Sequence, residues 1–250
     1  MFHNMKVLIG ANLWKSVDKE KVMRILITGG GCREYIDSVR VVTNSSTGRT
    51  SAELADDFAR KGNEVTLITA ENAIKAQDSS INVITFQTGE ELAAAIKAEL
   101  TSSFYDAVIH AAAVSDFVPY EITIGGKTVK AGKKAEKLPS GGEMTVTFRA
   151  SPKIADSLHD WAAQGGNEKA KVVCFKLLNE ADEAAKEKAV TSLFGHSKAD
   201  FVVYNDLSQI TEESHPFLIL NNTGKTVAEG KTNQNLATEL LGILNSSQRS

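Results

Sequence analysis

Residues 23–37, MRILITGGGCREYID, decide the fold. A short run of Ile and Leu breaks into three glycines, which reads as a buried strand ending in a tight loop. The same rhythm returns downstream. Strands are expected at 23–29 (MRILITG), 64–69 (EVTLIT), 81–86 (INVITF), 105–113 (YDAVIHAAA), 171–178 (KVVCFKLL) and 199–205 (ADFVVYN). Amphipathic segments separate them. Over 47–61, Leu54, Ala55, Phe58 and Ala59 share one face, and Gly62 supplies a helix stop. Thr88 and Glu91 form a capping box ahead of ELAAAIKAEL, Ser151 and Pro152 have the chemistry of an N-cap and first turn for KIADSLHDW, and NLATELLGILNSS closes the chain. Strands alternating with helices predict a Rossmann-like three-layer α/β/α fold with a mainly parallel central sheet.

Two regions interrupt the alternation. Residues 117–150 carry Gly and Lys clusters around a strand-like MTVTFR, which predicts a flap or β-ribbon insertion. Residues 1–22 stand apart as an N-terminal extension, in which MKVLIG could add a strand, ahead of a single domain over 23–250.

In 250 residues, 28 Lys plus Arg against 31 Asp plus Glu leave a net charge of -3, so neither nucleic acid nor an anionic membrane is an expected partner. An anionic ligand must therefore be held by a local site. Two cysteines, Cys32 and Cys174, without metal-ligand spacing argue against a disulfide framework or a structural zinc, and a cytoplasmic location is expected. Apolar runs stop at about ten residues, short of the roughly 20 that span a bilayer.

Four constellations can carry chemistry. In TGGGCREYID (28–37), glycines let backbone NH groups approach a phosphate at the carboxyl edge of a parallel sheet, although a triple glycine also serves as a plain turn. In VRVVTNSSTGRTSAEL (39–54), Arg40 and Asn44 precede a helix start where an anion or oxyanion could be held; a Ser/Thr cap with solvated arginines is the simpler alternative. In HAAAVSDF (110–117), the alanines leave room for a flat ligand and Asp116 offers an acceptor, while His110 reads as a core or edge histidine rather than a base. Lys127, Lys130, Lys133, Lys134 and Lys137 make a basic run, ordinarily a solvated face, in which Lys137 sits in a Gly/Ser turn able to close over phosphates.

Missing motifs narrow the chemistry. An NAD(P)-dependent Rossmann oxidoreductase would need Gly or Ala where Glu34 stands, and no Tyr has a Lys four residues on. No P-loop and no GxSxG elbow occurs. Positioning of anions fits better than hydride or nucleophilic chemistry; a catalytically silent nucleotide-binding regulator is the other competing reading.

Taken in order, TGGGCREYIDSVRVVTNSSTG, AAAVSD, EKLPSGGEMTV, SPKIADSLHDW, CFKLL and VVYNDLSQI resemble the phosphopantothenoylcysteine synthetase family from about Met23 onward. KLPSGGE and FKLL are similar to the stand-alone streptococcal and eukaryotic type. Cys32 stands where the family usually has Thr, and NSSTGRTS lacks a glycine often found there. The resemblance implies a ligase of coenzyme A biosynthesis that joins 4'-phosphopantothenate to L-cysteine through an acyl-nucleotidylate, with CTP favoured over ATP, Mg²⁺ bridging the phosphates, and a homodimer contacting through 117–150. It further implies that Asn44 holds the acyl intermediate and Arg40 the phosphopantothenate. Gly29, Gly30 and Gly31 would line the phosphates, and Ala112, Ala113, Asp116, Phe175 and Asn205 the nucleoside. Lys137, or Lys134 if the lid register differs, would reach the triphosphate.

Overall fold

The computed structural model describes residues 21–139 and 141–247. The chain begins with β1 (Arg24–Gly29), a small hairpin of β2 (Arg33–Tyr35) and β3 (Val41–Thr43), then α1 (Arg49–Arg60), β4 (Glu64–Ala70) and β5 (Asn82–Phe86). It continues through α2 (Gly89–Ser102), β6 (Ala107–His110) and three flap strands, β7 (Phe117–Ile124), β8 (Lys127–Lys130) and β9 (Met144–Ala150). After α3 (Leu158–Gln164) come β10 (Lys171–Leu178), α4 (Glu183–Ser197), β11 (Phe201–Asp206), β12 (Phe217–Asn221), β13 (Thr226–Gly230) and α5 (Asn233–Ser247).

Eight strands form the central sheet in the order β13-β12-β11-β10-β6-β1-β4-β5. Pairings from β11 through β5 are parallel, and β12 and β13 add an antiparallel edge. The chain leaves β1 toward β4 and β5, then returns to place β6 on the other flank of β1. That reversal opens a crevice at the carboxyl ends of β1 and β6, where ligands of open α/β sheets bind.

The core follows from strand alternation. Ile25 and Ile27 face a layer with Leu54 and Phe58 of α1 and Leu236, Leu240 and Leu244 of α5. Leu26 points the other way, with Leu92, Ile96 and Leu100 of α2 and Leu158 of α3. Phe58 is fully buried, so truncation to Ala would cost about 3–5 kcal/mol.

The expected fold holds, with local differences. Thr88 accepts from the Glu91 NH at 3.2 Å while Glu91 reaches back, completing the capping box. Gly62, at φ +84°, ends α1 with its NH on Ala59 O. Ser151 does not cap a helix. Its hydroxyl donates to the Ser115 carbonyl, so Lys153 stays extended and a short 3-10 turn, Ile154–Ser157, precedes α3. The predicted flap is a three-stranded antiparallel sheet, β8-β7-β9. The β2/β3 hairpin, α4 and the β12/β13 pair were not legible as separate elements. The expectations about residues 1–22, including a strand at MKVLIG, lie outside the described residues as far as residue 20.

Candidate functional site

The glycine loop and the alanine strand end are tied together by backbone. Ala113 NH donates to Gly30 O at 2.8 Å, Cys32 NH to Ala113 O at 3.1 Å, and Gly31 bridges Ala113 in parallel. One turn below, the Thr28 hydroxyl lies 2.9 Å from His110 Nδ1 and accepts from Ala112 NH at 3.2 Å. Two motifs more than 80 residues apart thus form one rim.

The rim borders a cleft of about 1190 Å³. Gly30, Asn44, Ala112, Ala113, Asp116, Phe175 and Asn205 line it. Gly30 requires its residue type: φ is +81°, and a Cβ there would sit 2.7 Å from Ala70 Cβ. Gly48 is held likewise at φ +73°, and it begins α1 with no side chain capping the helix. The first turn of α1, Gly48 to Ser51, lines the cleft, and a helix N-terminus without a capping side chain is suited to anions. Gly29 and Gly31 do not line the cleft. A Cβ on Gly29 would meet Ser51 Oγ at 1.7 Å and one on Gly31 the Asn44 carbonyl at 2.5 Å, so these two glycines let chain segments close up behind the rim.

The electrostatics of the cleft oppose those of the whole chain. Among the described residues its lining holds three cationic side chains, Arg49, Lys153 and Lys176, and a single carboxylate, Asp116, which Lys153 pairs. Arg49 and Lys176 have no ion-pair partner among the described residues. Arg49 moreover occupies the first position of α1, where the helix dipole disfavours a cation. These three cations were missed as site residues, although Lys153 and Lys176 fall within SPKI and CFKLL; only the fold shows that they converge.

Asn44 is exposed, and its Nδ2 donates to Val114 O at 3.1 Å. Asn205 is buried and donates to Pro216 O at 2.8 Å. His110 is buried, and desolvation pulls its pKa down to about 4, so the ring is neutral at pH 7 and a weak base, as expected of a core histidine. Burial pushes both Cys32 and Cys174 thiols up to about 12, which removes them as nucleophiles.

Arg40 and Lys137 sit apart from the cleft lining. Arg40 forms an ion pair with Asp37 and reaches toward the Leu138 carbonyl. Asp37 is fully buried. Burial works to raise its carboxyl, but the NH groups of Val39, Arg40 and Leu138 and the Arg40 guanidinium outweigh it and hold the pKa at about 2. Ser38 NH donates to Ala135 O and Gly132 NH to Ile36 O, so the arm 132–138 runs along the 36–40 turn. Lys134 and Lys137 are exposed on that arm.

Among the described residues, no group of three or more His, Cys, Asp and Glu could hold a metal ion. No helix among them is long and apolar enough to cross a membrane. The cleft offers cations and helix NH groups, equipment for binding and orienting phosphates and carboxylates.

Residues 21–246 match the family described as DNA/pantothenate metabolism flavoprotein C-terminal domain. A coenzyme A biosynthesis bifunctional protein CoaBC from Thermococcus kodakarensis is 30% identical over 87% of this chain. The chain spans about half of that relative's length, 49%. The crystal structure of the DNA/pantothenate metabolism flavoprotein from Streptococcus pneumoniae superposes with a TM-score of 0.78 at 25% identity, covering 90% of this chain and 99% of that one. A Cab2 variant in complex with phosphopantothenate-cysteine shares the fold, with a TM-score of 0.68 at 18% identity over 91% of this chain and 88% of that one.

Proposed function

Since the chain belongs to the DNA/pantothenate metabolism flavoprotein C-terminal domain family, we propose that it is a phosphopantothenate-cysteine ligase of coenzyme A biosynthesis. The observation that carries this reading is the cationic cleft at the reversal point of the sheet, in a chain that is acidic overall. The CoaBC relative and the ligand of the Cab2 variant support it from outside the molecule. The whole domain 23–250 forms the catalytic unit, with 117–150 as its flap.

In the proposed reaction the carboxylate of 4'-phosphopantothenate attacks the α-phosphate of CTP, ATP being the less favoured nucleotide. Pyrophosphate leaves, and cysteine's amine then displaces the nucleotide from the acyl-nucleotidylate. Neither step needs an enzyme nucleophile. Each needs two anions held together, which costs Coulomb repulsion unless cations and oriented dipoles offset it. Arg49, Lys176 and the first turn of α1 supply that offset here. Asn44 holds the acyl intermediate, Gly30 and its neighbours Gly29 and Gly31 shape the phosphate loop, and Ala112, Ala113, Asp116, Phe175 and Asn205 form the nucleoside pocket. Arg40 binds phosphopantothenate and Lys137, with Lys134 as alternative, closes over the triphosphate when the flap arm moves. Mg²⁺ would neutralise charge on the nucleotide phosphates; among the described residues Asp116 is the one lining carboxylate that could face it, so the nucleotide itself would hold the ion.

A cytoplasmic homodimer contacting through the flap completes the proposal. Phe117, Val129, Met144 and Phe148 are large apolar side chains left exposed on that small sheet, an arrangement that a second copy would cover. The test is pyrophosphate release with Mg²⁺, phosphopantothenate and cysteine, run with CTP and with ATP. Release that requires phosphopantothenate is expected, faster with CTP. No release from folded protein with either nucleotide would overturn the ligase reading.

A further inference from the structure

Beside the main cleft lies a second cavity of about 720 Å³, reached between the β2/β3 hairpin, the start of α2 and the base of the flap. Val114, Ser115, Ser151, Pro152, Lys153 and Ile154 line both cavities and so form the border between them. The Asn44 side chain is hydrogen-bonded to this border through Val114 O. The second cavity carries both signs of charge, Glu34, Glu90 and Glu91 against Lys133 and Lys153, beside apolar Val118, Pro119 and Trp161. Such a lining suits a small zwitterion with an uncharged side chain.

Two buried polar groups line this cavity, Glu34 in it alone and Ser115 at the border it shares with the main cleft. Ser115 is 5% exposed, and its hydroxyl finds no hydrogen-bond partner among the described residues. Buried polar atoms are seldom left so, which points to a group that arrives from outside. Glu34 is 7% exposed; its Oε1 accepts from Gly89 NH at 2.9 Å, and no other described residue donates to its carboxylate. Burial pushes the Glu34 carboxyl up, the Gly89 NH partly offsets this, and Glu90 and Glu91 push it further up. Lys133, a lining cation on the flap arm, is drawn to Glu91 at 3.7 Å and lies over the Tyr35 ring, and the Cys32 thiol on the same loop stays neutral.

Resting on the ligase reading above, we infer that the second cavity receives the amino-acid substrate and that Glu34 accepts the proton its ammonium must lose. An ammonium has no lone pair, so cysteine can attack only after deprotonation. One proton passes from the ammonium to the Glu34 carboxylate. The freed lone pair attacks the acyl carbon at the border where Val114 and Ser115 line both cavities, and the C–N bond forms. The bond from that carbon to the nucleotide's phosphate oxygen breaks, the nucleoside monophosphate departs with the electron pair, and the second nitrogen proton leaves to solvent. A desolvated carboxylate whose pKa is raised is a stronger base than an exposed one, which suits it to accept the first proton.

The experiment compares the wild type with Glu34→Gln, which keeps an oxygen for Gly89 NH but cannot take up the proton. Enzyme is first mixed with CTP, Mg²⁺ and phosphopantothenate and the pyrophosphate burst is measured; cysteine or hydroxylamine is then added and the acyl product quantified. Hydroxylamine is unprotonated at neutral pH and needs no base to free its lone pair. We expect an unchanged burst, unchanged hydroxamate formation and a loss of about 100-fold in amide formation with cysteine. Unaltered cysteine turnover, an equal fall with both nucleophiles, or a lost burst in the variant would overturn the role of Glu34. A wild type with no burst would instead overturn the ligase reading, and this inference with it.

Discussion

Replacing Asp37 by Asn should destabilise the protein and loosen the flap arm together. Oδ1 accepts from the NH groups of Val39 at 2.9 Å and Arg40 at 2.8 Å, and an amide oxygen preserves both bonds. Oδ2 accepts from Leu138 NH at 3.2 Å, across 101 residues of sequence, and pairs with Arg40. Asn would turn an NH₂ group against these two donors. Loss of a charged acceptor for a buried NH costs about 1.5–3 kcal/mol. The Arg40 side chain is 33% exposed, so solvent screens its share to about 1 kcal/mol or less. Together, about 2–4 kcal/mol corresponds to a fall of roughly 5–15 °C in melting temperature for a domain of this size.

The assay is thermal unfolding of parent and variant as a function of pH. The Asp37 pKa is about 2 in the folded protein against about 3.9 when unfolded. Its stabilisation is therefore complete above the unfolded value and fades as pH falls through the folded one, so the two melting curves should draw together below about pH 4 and converge only at about pH 2. In turnover, freeing Arg40 and the arm that carries Lys137 should raise the KM for phosphopantothenate. A variant that melts within about 1 °C of the parent at pH 7 would refute the reasoning, because Leu138 NH would then have another acceptor.

Asn44→Asp places a carboxylate against the Val114 carbonyl; the variant should release pyrophosphate once yet form little amide, and normal amide yield would remove Asn44 from its role. His110 titrates near 4 when folded and about 6.5 when unfolded, so as pH falls from 6.5 to 4 the unfolded state binds the extra proton and about 3 kcal/mol of stability is lost. Denaturant titrations across that window should show the loss in the parent and its absence in a folded His110→Gln variant. Cys32 and Cys174, both buried with thiols near 12, should resist iodoacetamide at pH 8 in the native protein and react fully in denaturant; rapid native labelling would mean that the crevice opens.

What was legible in the sequence was local. The strand at 23–29, the capping box of Thr88 and Glu91 and the stop at Gly62 each depend on neighbours within one or two turns, and each is present. The order of strands and helices specified a mainly parallel sheet because crossover connections admit few other arrangements. The hairpin β2/β3 escaped notice because its strands are three residues long and half polar, too short for a period to register. Ser151 misled because its hydroxyl satisfies a carbonyl 36 residues away instead of a helix end.

Only the tertiary structure decided the charge of the site. By composition the chain is acidic, yet folding gathers Arg49, Lys153 and Lys176 around one cleft. It likewise decided that Glu34 is buried against Gly89 and that Asp37 grips Leu138. Burial and long-range hydrogen bonds depend on which segments meet. A sequence states what each residue can do locally; its pKa, its partner and the cavity it faces are set by neighbours tens of residues away, brought there by the cores on the two faces of the sheet.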